Sequence, residues 1–147
     1  MKAQEGGTVI TELERDDCPD CGRIYYEQGV HHMIEAARCR DGCLADQWLA
    51  KLEGSRKRQD REALAVIIMV FEDYAHRDSL DFPREINDLR DGIREIKAGS
   101  HRFPFFHPRD GSTFASRLTH GFPKRQRFTE RQNIDKAIWV RREDLAS

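Results

Sequence analysis

No stretch of this chain stays apolar for long. Its longest such run, residues 63–71, falls far short of the roughly 20 residues that a membrane-spanning helix needs. Membrane insertion is therefore not expected. The opening residues 1–8 lack the apolar centre of a secretory signal, so a reducing cytoplasm is the expected compartment. No internal repeat and no low-complexity tract occurs, which sets aside solenoids and arrays. Cysteine is sparse, at four in 147 residues. In a reducing compartment these point to metal or to unpaired thiols before disulfides. Net charge is almost absent too, at −1.

What is present is a chain long enough for one domain, or one small domain with an appendage. It is 38% hydrophobic and 35% charged, enough for a single modest core under a salt-rich surface. The small net charge conceals a division. Residues 1–83 hold 11 Lys/Arg against 17 Asp/Glu, and residues 84–147 hold 14 against 9. The densest basic stretch, residues 117–142, sets 8 basic side chains against Glu130 and Asp135 alone. Such segregation suits a polyanionic partner, and equally a solvated basic face.

The periodicities divide the chain in the same place. Residues 8–13 form a short β-like run, residues 23–27 read as a strand, and residues 30–38 suit two helical turns. From Leu44 the apolar set Leu44, Trp48 and Leu52, with Leu49 beside them, predicts a helix closed by Gly54. A second helix is predicted over residues 57–76, with Leu64, Ile67, Ile68, Phe71 and Tyr74 on a wide buried stripe. These residues are expected to pack on a sheet through Ile93, Ile96, Phe103 and Phe105. Strands are predicted at residues 92–97, 102–107 and 113–122. The breaks at residues 98–100 and 108–111 carry hairpin chemistry. Thr129 looks like the N-cap of a last helix whose inner face is Ile134, Ala137, Ile138 and Leu145. The fold class is α+β: two helices on a small, mainly antiparallel sheet, closed by a C-terminal helix.

Over residues 41–145 several segments stand in an order that resembles the HigB/RelE-type toxins of bacterial toxin–antitoxin pairs, in their phage-derived HigB-like branch. Asp41-Gly42 through Trp48-Leu49 and Leu52 is similar to that family's opening helix. Gly92-Ile93-Arg94-Glu95-Ile96-Lys97 is similar to its first hairpin strand. His101-Arg102-Phe103 with Phe105-Phe106 resembles the next strand, whose arginine is a hallmark. Leu118-Thr119-His120-Gly121-Phe122, then Lys124-Arg125, Thr129, Ile134 and Ala137, resembles its strand-loop-helix signature. The chain departs from the pattern where Phe128-Thr129-Glu130 stands in place of Lys-Thr-Pro, and where Pro104 removes a ladder donor from the second hairpin strand. The resemblance implies a RelE-like domain over residues 44–147. A Cys-rich segment over residues 1–43 precedes it and is able to supply the first strand of the sheet. It also implies a ribosome-dependent mRNA endonuclease held in check by a cognate antitoxin.

The residues suit that chemistry. Metal-independent RNA cleavage by the 2′-hydroxyl requires alignment, stabilisation of a dianionic phosphorane and movement of protons. Lys97 and Arg102 on neighbouring strands, with Lys124 and Arg125 on the following loop, are the expected phosphate-binding set. Arg94, Arg117, Arg127 and Arg131 are expected to extend the contact with RNA. Of the sheet histidines His101, His107 and His120, the last is the first choice for acid or base work. Cys18, Cys21, Cys39 and Cys43 form two short pairs, and Cys18-Pro19-Asp20-Cys21-Gly22 resembles a zinc knuckle. Structural zinc is the leading expectation there, with buried thiols or a redox pair as alternatives and His31 and His32 as less suited ligands. Two rival functions remain open: a non-catalytic nucleic-acid-binding phage protein, and a host-factor inhibitor on the same fold.

Overall fold

The computed structural model describes residues 13–18 and 21–147. Among them, three α-helices and a mixed eight-stranded sheet form an α+β fold. The chain runs through β1 (Asp16–Asp17), β2 (Ile24–Gln28), β3 (Met33–Ala36), α1 (Leu44–Glu53) and α2 (Arg58–Glu72). A π-helical turn, Asp73–Arg77, continues α2. Then come β4 (Ile86–Asp88), β5 (Arg94–Ala98), β6 (His101–Phe106), β7 (Ala115–Leu118), β8 (Phe122–Pro123) and α3 (Arg131–Ala146). The sheet order is β1-β2-β3-β7-β6-β5-β4, with β8 also against β6. Among the described residues, only β3 and β7 pair in parallel.

Alternation along the strands sends neighbouring side chains to opposite faces. Ile34, Ala36, Ile96, Phe103, Phe105 and Leu118 join the main core beneath α1 and α2. Ala37, Ile93 and Phe106 join a smaller core with Ala137 and Val140 of α3. The sheet is therefore covered on both sides, which explains how β6 reads His-Arg-Phe-Pro-Phe-Phe with little polar alternation.

The predicted stripe of α2 meets the sheet as expected for Leu64, Ile67 and Phe71, with Ile68 at its margin. Ile93 does not belong to that contact. It lies three residues from Ile96, an odd step, and so falls on the α3 side. In α1 the fully buried line is Ala45, Leu49 and Leu52, while Leu44 turns to the second core. Leu145, expected on the inner face of α3, is exposed, and Asp144 takes the inward position with Ala137 and Val140.

Three further segments differ from expectation. Residues 30–38 contain β3 rather than helical turns, because Met33 to Ala36 find β2 on one side and β7 on the other. That pairing is non-local, and it overrides a weak helical preference. β4 was not anticipated. The expected strand over residues 113–122 is two strands, interrupted at Thr119 to Gly121. Pro104 faces the interruption: its carbonyl accepts from the Thr119 amide at 2.9 Å. The β-like run over residues 8–13 lies outside the described residues except for Leu13, which is buried in the main core.

A buried charge cluster joins the ends of the fold. Asp144 accepts from Arg23 Nη1 at 2.5 Å, from Arg117 Nη1 at 2.7 Å and from the Arg38 amide at 2.9 Å. Arg117 Nε also donates to Glu35 at 2.6 Å. Burial alone would raise the Asp144 pKa, but the Arg38 amide and the two guanidinium groups hold it below the usual carboxylate range. Its stabilisation is therefore complete above the ordinary carboxylate pKa of about 4 and is lost as pH falls through the lower folded value. Replacing Asp144 by Asn leaves two arginines under-compensated and should cost about 3–5 kcal/mol in urea unfolding at pH 7. Below about pH 4 the difference between the variant and the parent should shrink. An unchanged midpoint at neutral pH would show that the cluster carries no net stability.

Candidate nucleic-acid interface

The basic residues singled out by sequence divide into those with an acidic partner and those without. Arg94 Nε donates to Asp88 at 2.7 Å, and its guanidinium lies over the Phe105 ring. Arg117 belongs to the buried cluster. Arg131 stands 4.0 Å from Asp135 on the exposed face of α3. By contrast, Lys97, Arg102, Lys124, Arg125 and Arg127 form no ion pair among the described residues.

The β5–β6 hairpin positions the first two of these unpaired cations. Lys97 and Arg102 sit directly opposite each other, one pair before Ala98 and His101 close the Gly99-Ser100 turn. Arg102 is half-buried and braced by its Nη1, which donates to the carbonyls of Gly99 at 2.8 Å and His101 at 3.0 Å. Burial lowers its pKa somewhat, with Glu95 acting against that. The guanidinium nevertheless keeps its charge at neutral pH. On the other side of β6, Arg102 pairs with Phe122 of β8. Lys124 follows at once, its amide donating to the Ser100 carbonyl at 2.7 Å. Strand pairing and one loop bond thus hold three cation-bearing residues around one hairpin end.

Lys97 and Arg102 line an open groove of about 420 Å³, with Val66 and Met69 of α2 on its wall and the carboxylates of Asp73 and Glu85 also on its lining. Arg84, which sequence reasoning missed, stands in the same groove, although it pairs with Asp81. Arg125 opens instead on a smaller hollow of about 250 Å³ beside Glu130 and Asn133. The structure therefore brings Lys97, Arg102 and Lys124 together and sets Arg125 to one side. Arg127 lies over the exposed ring of Phe128, 5.7 Å from its centroid.

Thr129 does not cap α3; its hydroxyl donates to the buried carboxylate of Glu95 on β5, and Glu130 occupies the cap position. Glu95 was also missed, because an acidic residue on an alternating strand reads as solvent-facing.

The histidines turn inward. His120 is 2% exposed, shares a hydrogen bond with the Thr119 hydroxyl at 2.9 Å, and meets Asn133 Oδ1 at 3.2 Å. Burial pushes its pKa down to about 4 despite the Asn133 bond. The packing of its neighbour fixes it: a Cβ on Gly121 would come within 2.4 Å of the Trp48 ring. His101 accepts from Trp48 Nε1 at 3.3 Å, and His107 Nδ1 meets the Ala115 carbonyl at 2.9 Å. Burial lowers both of their pKa values as well. At neutral pH all three rings are uncharged, and His120 is not presented to a ligand as the sequence suggested.

Cys18, Cys21, Cys39 and Cys43 lie at the opposite, N-terminal part of the sheet, with only Cys21 well exposed. Among the described residues, no three His, Cys, Asp or Glu side chains are gathered as ready metal ligands, and no helix is long and apolar enough to cross a membrane. The chain matches no protein-family model, and no curated protein matches it.

The depressed His120 pKa has a measurable consequence. An imidazole that stays neutral when folded but titrates near 6.5 when unfolded destabilises the native state as pH falls from about 6.5 towards 4. The full effect is on the order of 3 kcal/mol. Replacing His120 by Gln should flatten the stability profile in that interval, measured by urea unfolding at successive pH values. A profile no flatter than the parent's would mean that the ring is protonated in the fold.

Proposed function

We propose that the chain is a HigB/RelE-like toxin that cleaves mRNA on the ribosome, with Arg102, Lys97 and Lys124 as its phosphate-binding group. The observation that carries this reading is the set of unpaired cations held by strand pairing around the β5–β6 hairpin end. Arg102 supplies a planar fork fixed from behind by two backbone carbonyls, so part of its ordering cost is met before RNA arrives. The exposed Arg127 and Phe128 offer a stacking platform for an unpaired base beside that phosphate. Arg125 and Arg131 would extend the charged path along the loop and the start of α3. The order of elements also supports a RelE-like arrangement, with two helices, a strand meander and a closing helix. On this reading the protein works in the cytoplasm, and a cognate antitoxin restrains it by covering the cations at the hairpin end.

One observation favours a second reading, a nucleic-acid-binding protein without cleavage. All three sheet histidines are turned inward and neutral, so none stands ready at the groove to trade a proton. Phosphate stabilisation alone would then carry whatever rate exists.

Controlled expression followed by mapping of RNA 5′ ends separates the two. Cleavage within translated messages, with growth arrest, is expected of the toxin; salt-dependent binding with intact RNA marks the alternative. Arg102→Ala should slow single-turnover cleavage of ribosome-bound message by roughly a hundredfold. Arg102→Lys should recover only part of that loss, because it keeps the charge without the fork. Lys124→Ala and Arg125→Ala should each move unfolding stability by no more than about 0.5 kcal/mol. Lys124→Ala is expected to impair cleavage more than Arg125→Ala. Folded Arg102 and Lys124 variants that cleave at the parental rate would remove this site.

A further inference from the structure

The cysteine loops take no part in the basic groove, yet the fold brings them to one place. β1 and β2 form a hairpin whose turn carries Cys18 and Cys21. β3 runs antiparallel to β2, so its exit returns to the end of the sheet where that turn lies. Two contacts seal the seam. Arg38 Nη1 donates to the Cys21 carbonyl, and Arg23 Nη1 donates to the Ala36 carbonyl, each at 3.2 Å. Both loops are closed by their own backbones. The Gly22 amide donates to the Cys18 carbonyl at 2.7 Å, and Cys39 and Gly42 exchange amide-to-carbonyl bonds at 2.9 and 3.1 Å. Gly22 at φ 72° and Gly42 at φ 100° supply the left-handed turns, each beside a cysteine.

We propose that Cys18, Cys21, Cys39 and Cys43 bind one structural zinc ion between these two loops. Tight turns that each present a cysteine pair are the arrangement from which a tetrahedral tetrathiolate site is assembled, with Zn–S distances of about 2.3 Å. The thiols must swing inward to reach those distances, since they are not gathered beforehand. On binding, four S–H bonds give way to four Zn–S bonds, four protons pass to solvent, and no electron changes hands. The product carries two negative charges. Arg38, at the seam, is placed to offset one of them, and its Nε is buried with no hydrogen-bond partner among the described residues. Four thiolates leave no open position for water, so the metal is a staple and not a catalyst.

The test uses the full chain, purified without a metal-binding tag, reduced, stripped by chelator and then titrated with zinc alone. One zinc per chain, shielding of all four thiols from a thiol reagent, and a raised melting temperature are expected. Cobalt in place of zinc should give thiolate charge-transfer absorption of a tetrahedral site. Cys21 is exposed, so Cys21→Ser should fold, yet weaken zinc binding by more than about tenfold and diminish the cobalt band. Reduced, folded protein that binds no zinc and keeps four reactive thiols would overturn the proposal. Zinc binding indifferent to Cys21→Ser would overturn it equally.

Discussion

The charge cluster around Asp144 is the constraint on which the arrangement of the sheet rests. It gathers Arg23 beside β2, Glu35 of β3, the Arg38 amide, Arg117 of β7 and one turn of α3. Two guanidinium groups and two carboxylates leave no net charge inside, which is the condition for burying them without a prohibitive loss of hydration. Burial of this kind adds little stability over an apolar core of equal volume. Its effect is on geometry, because it ties α3 to β3 and β7 through directional bonds among all four groups.

That cluster also clarifies the surface. A chain with almost equal numbers of acids and bases neutralises its cations where strands and helices cross. What remains unpaired among the described residues is left at a hairpin end, beside Val66 and Met69 of α2. The local excess around Lys97, Arg102 and Lys124 is thus set by topology as much as by composition. Such a patch, held on paired strands, loses little freedom on meeting a polyanion.

The legible parts of the sequence were those governed by one period. The α2 stripe and the β5–β6 hairpin follow from spacing and from Gly99, and the burial of Leu64, Ile67 and Phe71 confirms the helical face. Features set by distant partners were not legible. β3 is held as a strand by β2 on one side and by residues 115–118 on the other, and the second partner is distant in sequence. Arg117 looks like any other member of a basic stretch until Glu35 and Asp144 surround it. His120 stands next to Gly121, and nothing local announces that Asn133 will meet its ring or that Trp48 will press on Gly121. Lys124 and Arg125 are adjacent, yet only the first is bonded to the hairpin.

The parallel pairing of β3 with β7 joins segments about eighty residues apart, across both intervening helices. During synthesis the β1–β3 end of the sheet can form hairpins early, but its inner edge stays open until β7 has left the ribosome. Arg23 and Glu35 meanwhile wait for Asp144 to emerge. The helices and the β5–β6 hairpin are local and form without that wait. Completion of the sheet therefore requires β7 to reach β3, and any handling of the nascent chain that delays this pairing leaves an unpaired strand edge exposed to neighbours.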